Sequence, residues 1–202
     1  MPQATNAVGG ERKFWGGIPV IPAPHLSNLA KRMEDVGFEG ATALQIYGTP
    51  WPSLAIAAAA TTRLKIATGV AVAASRSPFE TAMIAMDMDR LSEGRFTLGL
   101  GTGVSSVNVG AYGTPDYKLI THLRDTVAAI RHVVAHAHTG LPPYEGAYYK
   151  ADFQELMITP APARDRLPIC IFDNNAVARP ISIEDPGVRE RRDNDRKSRR
   201  HH

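Results

Sequence analysis

Cysteine occurs once, at Cys170, so no internal disulfide can brace this chain. It falls inside an apolar, strand-like stretch with no base placed beside it, which points to a buried structural thiol rather than a nucleophile. Long hydrophobic runs are also missing. No window approaches the roughly 20 apolar residues of a membrane span, and the N-terminus has no signal-peptide core, so a cytoplasmic protein in a reducing environment is expected. Neither a Gly-x-Ser-x-Gly elbow nor a P-loop is present, which removes the usual signatures of acyl and phosphoryl transfer. Net charge is small, +3 over 202 residues, and unevenly placed. Residues 188–202 hold seven arginines and lysines against three acids, leaving the remainder without a basic footprint.

That terminal run has too few apolar residues to offset the entropy of ordering it, so residues 188–202 are expected to be disordered and dispensable, within a divergent, disordered basic tail over 173–202. Glu190, Asp193 and Asp195 dilute its charge and no aromatic residue is there for base stacking, which argues against a nucleic-acid arm. Residues 1–13 read as an N-terminal extension, and 14–172 as one domain in which strand and helix patterns alternate. Strands are expected near 14–21, 41–46, 64–72, 95–100 and 167–172, with helices near 26–36, 53–61, 78–91 and 118–136. Such alternation gives an α/β fold with a parallel sheet and outer helices. Prolines 142, 143, 160 and 162 bound an excursion over 139–166 rather than a further unit.

Some local signals are sharp. Ser77, Pro78 and Glu80 combine an N-cap hydroxyl, a first-turn proline and a capping-box carboxylate. Phe79, Met83 and Met86 recur at helical spacing and are expected to pack on the sheet. His132 and His136 stand four apart, a spacing compatible with a metal pair. However, Leu119, Leu123, Val127, Ile130 and Val134 define the buried stripe, so both histidines fall on the solvated side and no metal is expected. His122 and His138 have no ligand-spaced carboxylate to join them.

The stretch from Asp89 to Gly103 ends a helix, turns, and runs an apolar strand into the loop Gly99-Leu100-Gly101-Thr102-Gly103. Glycines there admit close backbone approach, and the carboxyl end of a parallel strand faces the crevice where α/β folds bind ligands. Taken with Thr68-Gly69-Val70, Arg76-Ser77-Pro78, Met33 to Phe38, Tyr144-Glu145-Gly146, Tyr148-Tyr149 and Arg166 to Ile171, this order resembles the bacterial-luciferase-like oxidoreductases, also called the luciferase-like monooxygenase family. The likeness is greatest to their coenzyme F420-dependent branch and covers roughly residues 14–172.

The resemblance implies a luciferase-like (β/α)8, or TIM, barrel and an oxidoreductase transferring hydride between F420, or alternatively FMN, and a small organic substrate. It implies a non-proline cis peptide or a bulge at Gly69-Val70, behind the cofactor ring. Gly101, Thr102 and Gly103, with Asn108, are then expected near the ring or ribityl chain. Tyr47 and Trp51, just past the second strand, are candidates for an apolar substrate pocket, although Trp51 between Pro50 and Pro52 serves equally to pack the helix it introduces. Two departures stand out. Gln45 occupies the place where the family often has an acid or histidine, leaving the catalytic residue unassigned. The pattern also stops near the fifth strand, whereas such barrels take about 250 residues and hold phosphate with loops after strands seven and eight. A partial barrel, self-association through an open sheet edge, and weakened or lost catalysis are expected. The alternative is a non-catalytic, truncated flavin-binding or self-associating module.

Overall fold

The computed structural model describes residues 13–46 and 48–171. The expected tail and most of the N-terminal extension lie outside them. From the N-terminal side, strand β1 (Trp15–Gly17) leads to helix α1 (Ala23–Asp35), β2 (Gly40–Ala43) and α2 (Trp51–Ala60). Strand β3 (Lys65–Thr68), β4 (Ala71–Val72) and a 3-10 turn (Ala73–Ser75) then precede α3 (Pro78–Leu91) and β5 (Phe96–Gly101). After β5 come α4 (Ser105–Tyr112), α5 (Leu119–His136), a hairpin of β6 (Tyr144–Glu145) and β7 (Lys150–Ala151), and β8 (Ile169–Ile171).

All pairings in the main sheet are parallel, in the order β1, β2, β3, β5, with β4 and β8 also on β5. Leu100 pairs with Ala71 of β4 and with Ile171 of β8, so those two strands flank opposite sides of β5. This is the parallel sheet with outer helices that the alternating pattern implies, arranged as the partial barrel that the resemblance implies. Alternation along the strands turns Ile66, Phe96, Leu98 and Leu100 towards the helices, where all are fully buried beside Leu26, Leu54, Met86, Ile130 and Val133. The other face carries small residues such as Thr42, Ala67, Thr97 and Gly99.

Helix α3 starts as its sequence signals require, with Ser77 Oγ accepting from Glu80 N at 3.0 Å and Pro78 in the first turn. The first strand is shorter than its pattern, because Pro19 and Pro22 cannot donate to a ladder. The long third strand divides into β3 and β4 around Gly69 and Val70. Helix α4 has no side-chain cap at its start and was not foreseen from the sequence, although Gly113 closes it in the left-handed conformation at φ 65°.

Side-chain clamps gather at the N-terminal ends of the strands. Glu34 accepts from the backbone N–H groups of Thr62, Arg63 and Leu64, just before β3. Arg95, just before β5, donates to the carbonyls of Ala58 at 3.0 Å, Thr61 at 3.1 Å and Leu64 at 2.8 Å, capping the end of α2. Asp89 is fully buried and takes the Nε–H of Arg164, which precedes β8, at 2.9 Å.

Residues 139–166 form the expected excursion, and Asp125 of α5 holds it. Its carboxylate accepts from Tyr148 N at 2.6 Å, Tyr149 N at 2.8 Å and the Tyr144 hydroxyl at 2.9 Å. Burial and the adjoining Asp125 carboxylate push the Tyr144 phenol up to about 12.

Two expectations need correction. Cys170 is half-exposed rather than buried, because among the described residues β8 pairs only with β5. His132 is half-buried rather than solvated: its Nε2 lies 2.8 Å from Pro142 O and its ring packs 5.4 Å from Tyr144, centroid to centroid. No helix among the described residues is long and apolar enough to cross a membrane.

Candidate functional site at the C-terminal ends of the strands

The third strand reaches the mouth of the sheet with one residue to spare. Ile66 pairs with Phe96, but Ala71 pairs with Leu100, so the β3–β4 side has one residue more than β5 over the same stretch. This is a bulge, and the Gly69–Val70 peptide within it is cis, as the resemblance implies. Beside it the fully buried Thr68 hydroxyl donates to Gly99 O at 2.7 Å and accepts from Gly99 N at 2.8 Å. Gly69 N donates to Ala43 O at 2.8 Å, and Gln45 N to Val70 O at 3.2 Å, tying the bulge to the end of β2.

The loop after β5 closes on that bulge. A Cβ at Gly101 would stand 2.8 Å from Val70 Cγ2, and one at Gly103 would stand 2.6 Å from Asn108 Oδ1 and 2.7 Å from Val72 Cγ1. Gly103 also has φ +68°, a conformation side-chain-bearing residues rarely take. The glycines therefore let β4, the loop and α4 touch. Asn108 is 1% exposed, and its Nδ2 donates to Thr102 O at 2.9 Å. Its Oδ1 has no partner among the described residues, an orphaned acceptor in a place where buried polar atoms are nearly always paired.

Gln45 and Tyr112 complete the group. Gln45 Oε1 accepts from Val72 N at 3.0 Å, and Gln45 Nε2 donates to the Tyr112 hydroxyl at 3.2 Å. Gly69, Val70, Thr102, Gly103, Gln45 and Tyr112 are all half-buried, hence open at the mouth. Together they offer backbone, an uncharged amide and a phenol. That donor set suits a planar, uncharged ring system with hydrogen-bonding edges and does not suit a metal. Among the described residues no group of three or more His, Cys, Asp or Glu side chains could hold a metal ion.

The structure thus brings Gln45, Gly69, Val70, Gly101, Thr102, Gly103 and Asn108 to one place. Trp51 is not among them at the surface: it is 8% exposed and packs on Phe96 with ring centroids 6.1 Å apart, the packing role of the two left open. Tyr47 lies outside the described residues. Tyr112 was missed, because nothing marks α4 as a helix except the Gly113 that ends it. A cavity of about 180 Å³ lined by Arg131, Val134, Ala135, Leu167 and Ile169 sits between the later turns of α5 and the start of β8, at the opposite end.

Known proteins are similar to this chain in sequence and in fold. A putative coenzyme F420-dependent oxidoreductase of Mycobacterium tuberculosis is 31% identical over 134 residues, covering 66% of this chain and 38% of that protein. The structure of the coenzyme F420-dependent tetrahydromethanopterin reductase of Methanopyrus kandleri superposes with a TM-score of 0.66 at 22% identity, covering 80% of this chain and 50% of that one. The oxygenating constituent of 3,6-diketocamphane monooxygenase from Pseudomonas putida, solved with FMN, gives a TM-score of 0.61 at 18% identity, covering 74% of this chain and 45% of that one. The chain spans about half the length of the curated relatives it matches, 46% for those it resembles over 158 residues. The profile of the luciferase-like monooxygenase family matches residues 5–175, the whole of the described fold and every site residue named above, and the chain belongs to that family.

Proposed function

We propose that this chain carries the ring-binding part of a flavin-type cofactor site and serves an oxidoreductase transferring hydride between coenzyme F420 and a small organic substrate, with FMN as the alternative cofactor. The observation that carries the reading is the convergence at one mouth of the β3–β4 bulge, the Gly101–Gly103 loop and the orphaned acceptor of Asn108. Support for the cofactor class comes from relatives named for F420 and a structural neighbour solved with FMN. When bound, the cofactor supplies the hydride chemistry, and the protein supplies position. Gly69 and Val70 would support one face of the ring, Thr102 and Gly103 would offer backbone groups to its edge, and Asn108 would hold that loop in place from beneath through Thr102 O. Val70 and Val72 keep water from that face.

Fluorescence titration of the purified chain with F420 and with FMN tests the reading. Saturable quenching by one of them, weakened in Asn108→Leu, is expected. If neither cofactor responds to a natively folded chain, the reading is wrong.

A second reading rests on separate residues. Among the described residues β1 has no partner on its outer edge, and Phe14 is 61% and Trp15 42% exposed. An unpaired strand carrying large apolar side chains favours association with a second copy. Sedimentation velocity at micromolar concentration should show a dimer or larger species, and a monomer throughout would dismiss it.

A further inference from the structure

The Gln45–Tyr112 pair has a direction. The atom 3.0 Å from the Val72 N–H must be an acceptor, so Gln45 turns Oε1 to Val72 and Nε2 to Tyr112. Nε2 then donates, and the phenol oxygen is its acceptor at 3.2 Å. The Tyr112 hydrogen is left over, with no acceptor for it among the described residues. Tyr112 is half-buried on the last turn of α4, and its hydroxyl meets the end of β2 across the mouth that the bulge and the glycine loop define. Gln45 is itself fixed twice over, through its side chain to Val72 and through its backbone to Val70.

We infer that Tyr112 is the hydrogen-bond donor for the substrate's oxygen and that Gln45 is the positioning residue that aims it, so the site takes a neutral carbonyl compound. The inference rests on the mouth being the ligand site proposed above. Gln45 itself cannot give up a proton at neutral pH, whereas a phenol can donate a hydrogen bond to a carbonyl and strengthen it as negative charge develops on that oxygen. Gln45 thus acts through its neighbour. A carboxylate at position 45 would work against this arrangement: it would accept from Val72 N–H and from Tyr112 O–H together, taking the hydrogen away from the ligand.

The probe is 4-dimethylaminocinnamaldehyde, whose absorption moves to the red when its carbonyl oxygen accepts a hydrogen bond. It is titrated into the chain with and without F420 or FMN. Wild type should bind it with a red shift. Tyr112→Phe should lose the shift and bind about three- to tenfold more weakly, the range for one neutral hydrogen bond. Q45E, nearly isosteric, should lose the shift as well, while the circular dichroism of both variants stays at the wild-type level. A purely structural Gln45 would not move the probe's spectrum. The inference is overturned if the probe fails to bind wild type, or if either variant keeps the red shift. A chain that binds the probe in a Tyr112-dependent way but neither cofactor keeps this inference and discards the cofactor reading. Cofactor binding with an unresponsive probe does the reverse.

Discussion

Replacing Asp125 by alanine should untie residues 144–149 of the excursion from α5. The carboxylate takes three hydrogen bonds, two from backbone N–H groups and one from a phenol. A bond to a charged acceptor contributes about 1.5–3 kcal/mol, but Tyr148 is 44% exposed and water can replace part of what is lost. About 3 kcal/mol in total is expected, or roughly 6–12 °C in Tm for a chain of this size. Asp125→Asn keeps one acceptor for the backbone pair and should cost about 1 kcal/mol. Gly146→Ala should act like the alanine variant, since a Cβ there would stand 1.9 Å from Asp125 Oδ1.

The effect also has a pH signature. Burial alone would raise the Asp125 carboxyl, but the bonds from Tyr148, Tyr149 and Tyr144 outweigh it and hold it below the ordinary aspartate range. A carboxyl lowered in the folded state stabilises above its unfolded value of about 4, and that contribution is lost as pH falls through the folded value. Thermal melts of wild type and Asp125→Asn should therefore converge as pH drops below that unfolded value. A change under about 2 °C for Asp125→Ala at neutral pH, or a gap that widens on acidification, would refute the reasoning.

Arg95→Lys should cost about 1–2 kcal/mol in urea denaturation, because one ammonium cannot reach the carbonyls of Ala58, Thr61 and Leu64 as the planar guanidinium does; an unchanged midpoint would count against the clamp. Gly103→Val pairs a backbone penalty of about 1–2 kcal/mol with collisions at Asn108 and Val72, so it should abolish cofactor quenching; quenching at wild-type strength would remove the loop from the site. Partial burial pushes the half-exposed Cys170 thiol up, so iodoacetamide should label it slowly at neutral pH and faster only above the usual thiol value of about 8.5. Labelling at the rate of free cysteine at pH 7 would contradict that environment.

Much of this fold was legible because its signals are local. The Ser77-Pro78-Glu80 start, the amphipathic stripe of α5 and the apolar run into Gly99–Gly103 each depend on residues close in sequence. The bulge at Gly69–Val70 came from the motif order, since no property of a glycine and a valine alone distinguishes it from an ordinary strand. What stayed hidden depends on partners far apart in the chain. Tyr112 and Gln45 are 67 residues apart, Asp125 and Tyr149 are 24 apart, and Arg164 and Asp89 are 75 apart. Helix α4, which carries Tyr112, exposes Val107 and Val109 and so lacks the apolar stripe by which a helix is recognised.

The clamps of Glu34, Arg95 and Asp89 all lie at one end of the sheet, and the close glycine contacts at the other. Each clamp must break before the strand ends beneath it separate, whereas the glycine loops can part by small backbone rotations. Amide hydrogens along a single strand should then exchange with deuterium in a gradient, slowest near Ile66 and Leu98 and fastest past Leu100 and Val72. Such polarity would let random mutagenesis reshape ligand preference at the mouth without spending the stability stored at the base.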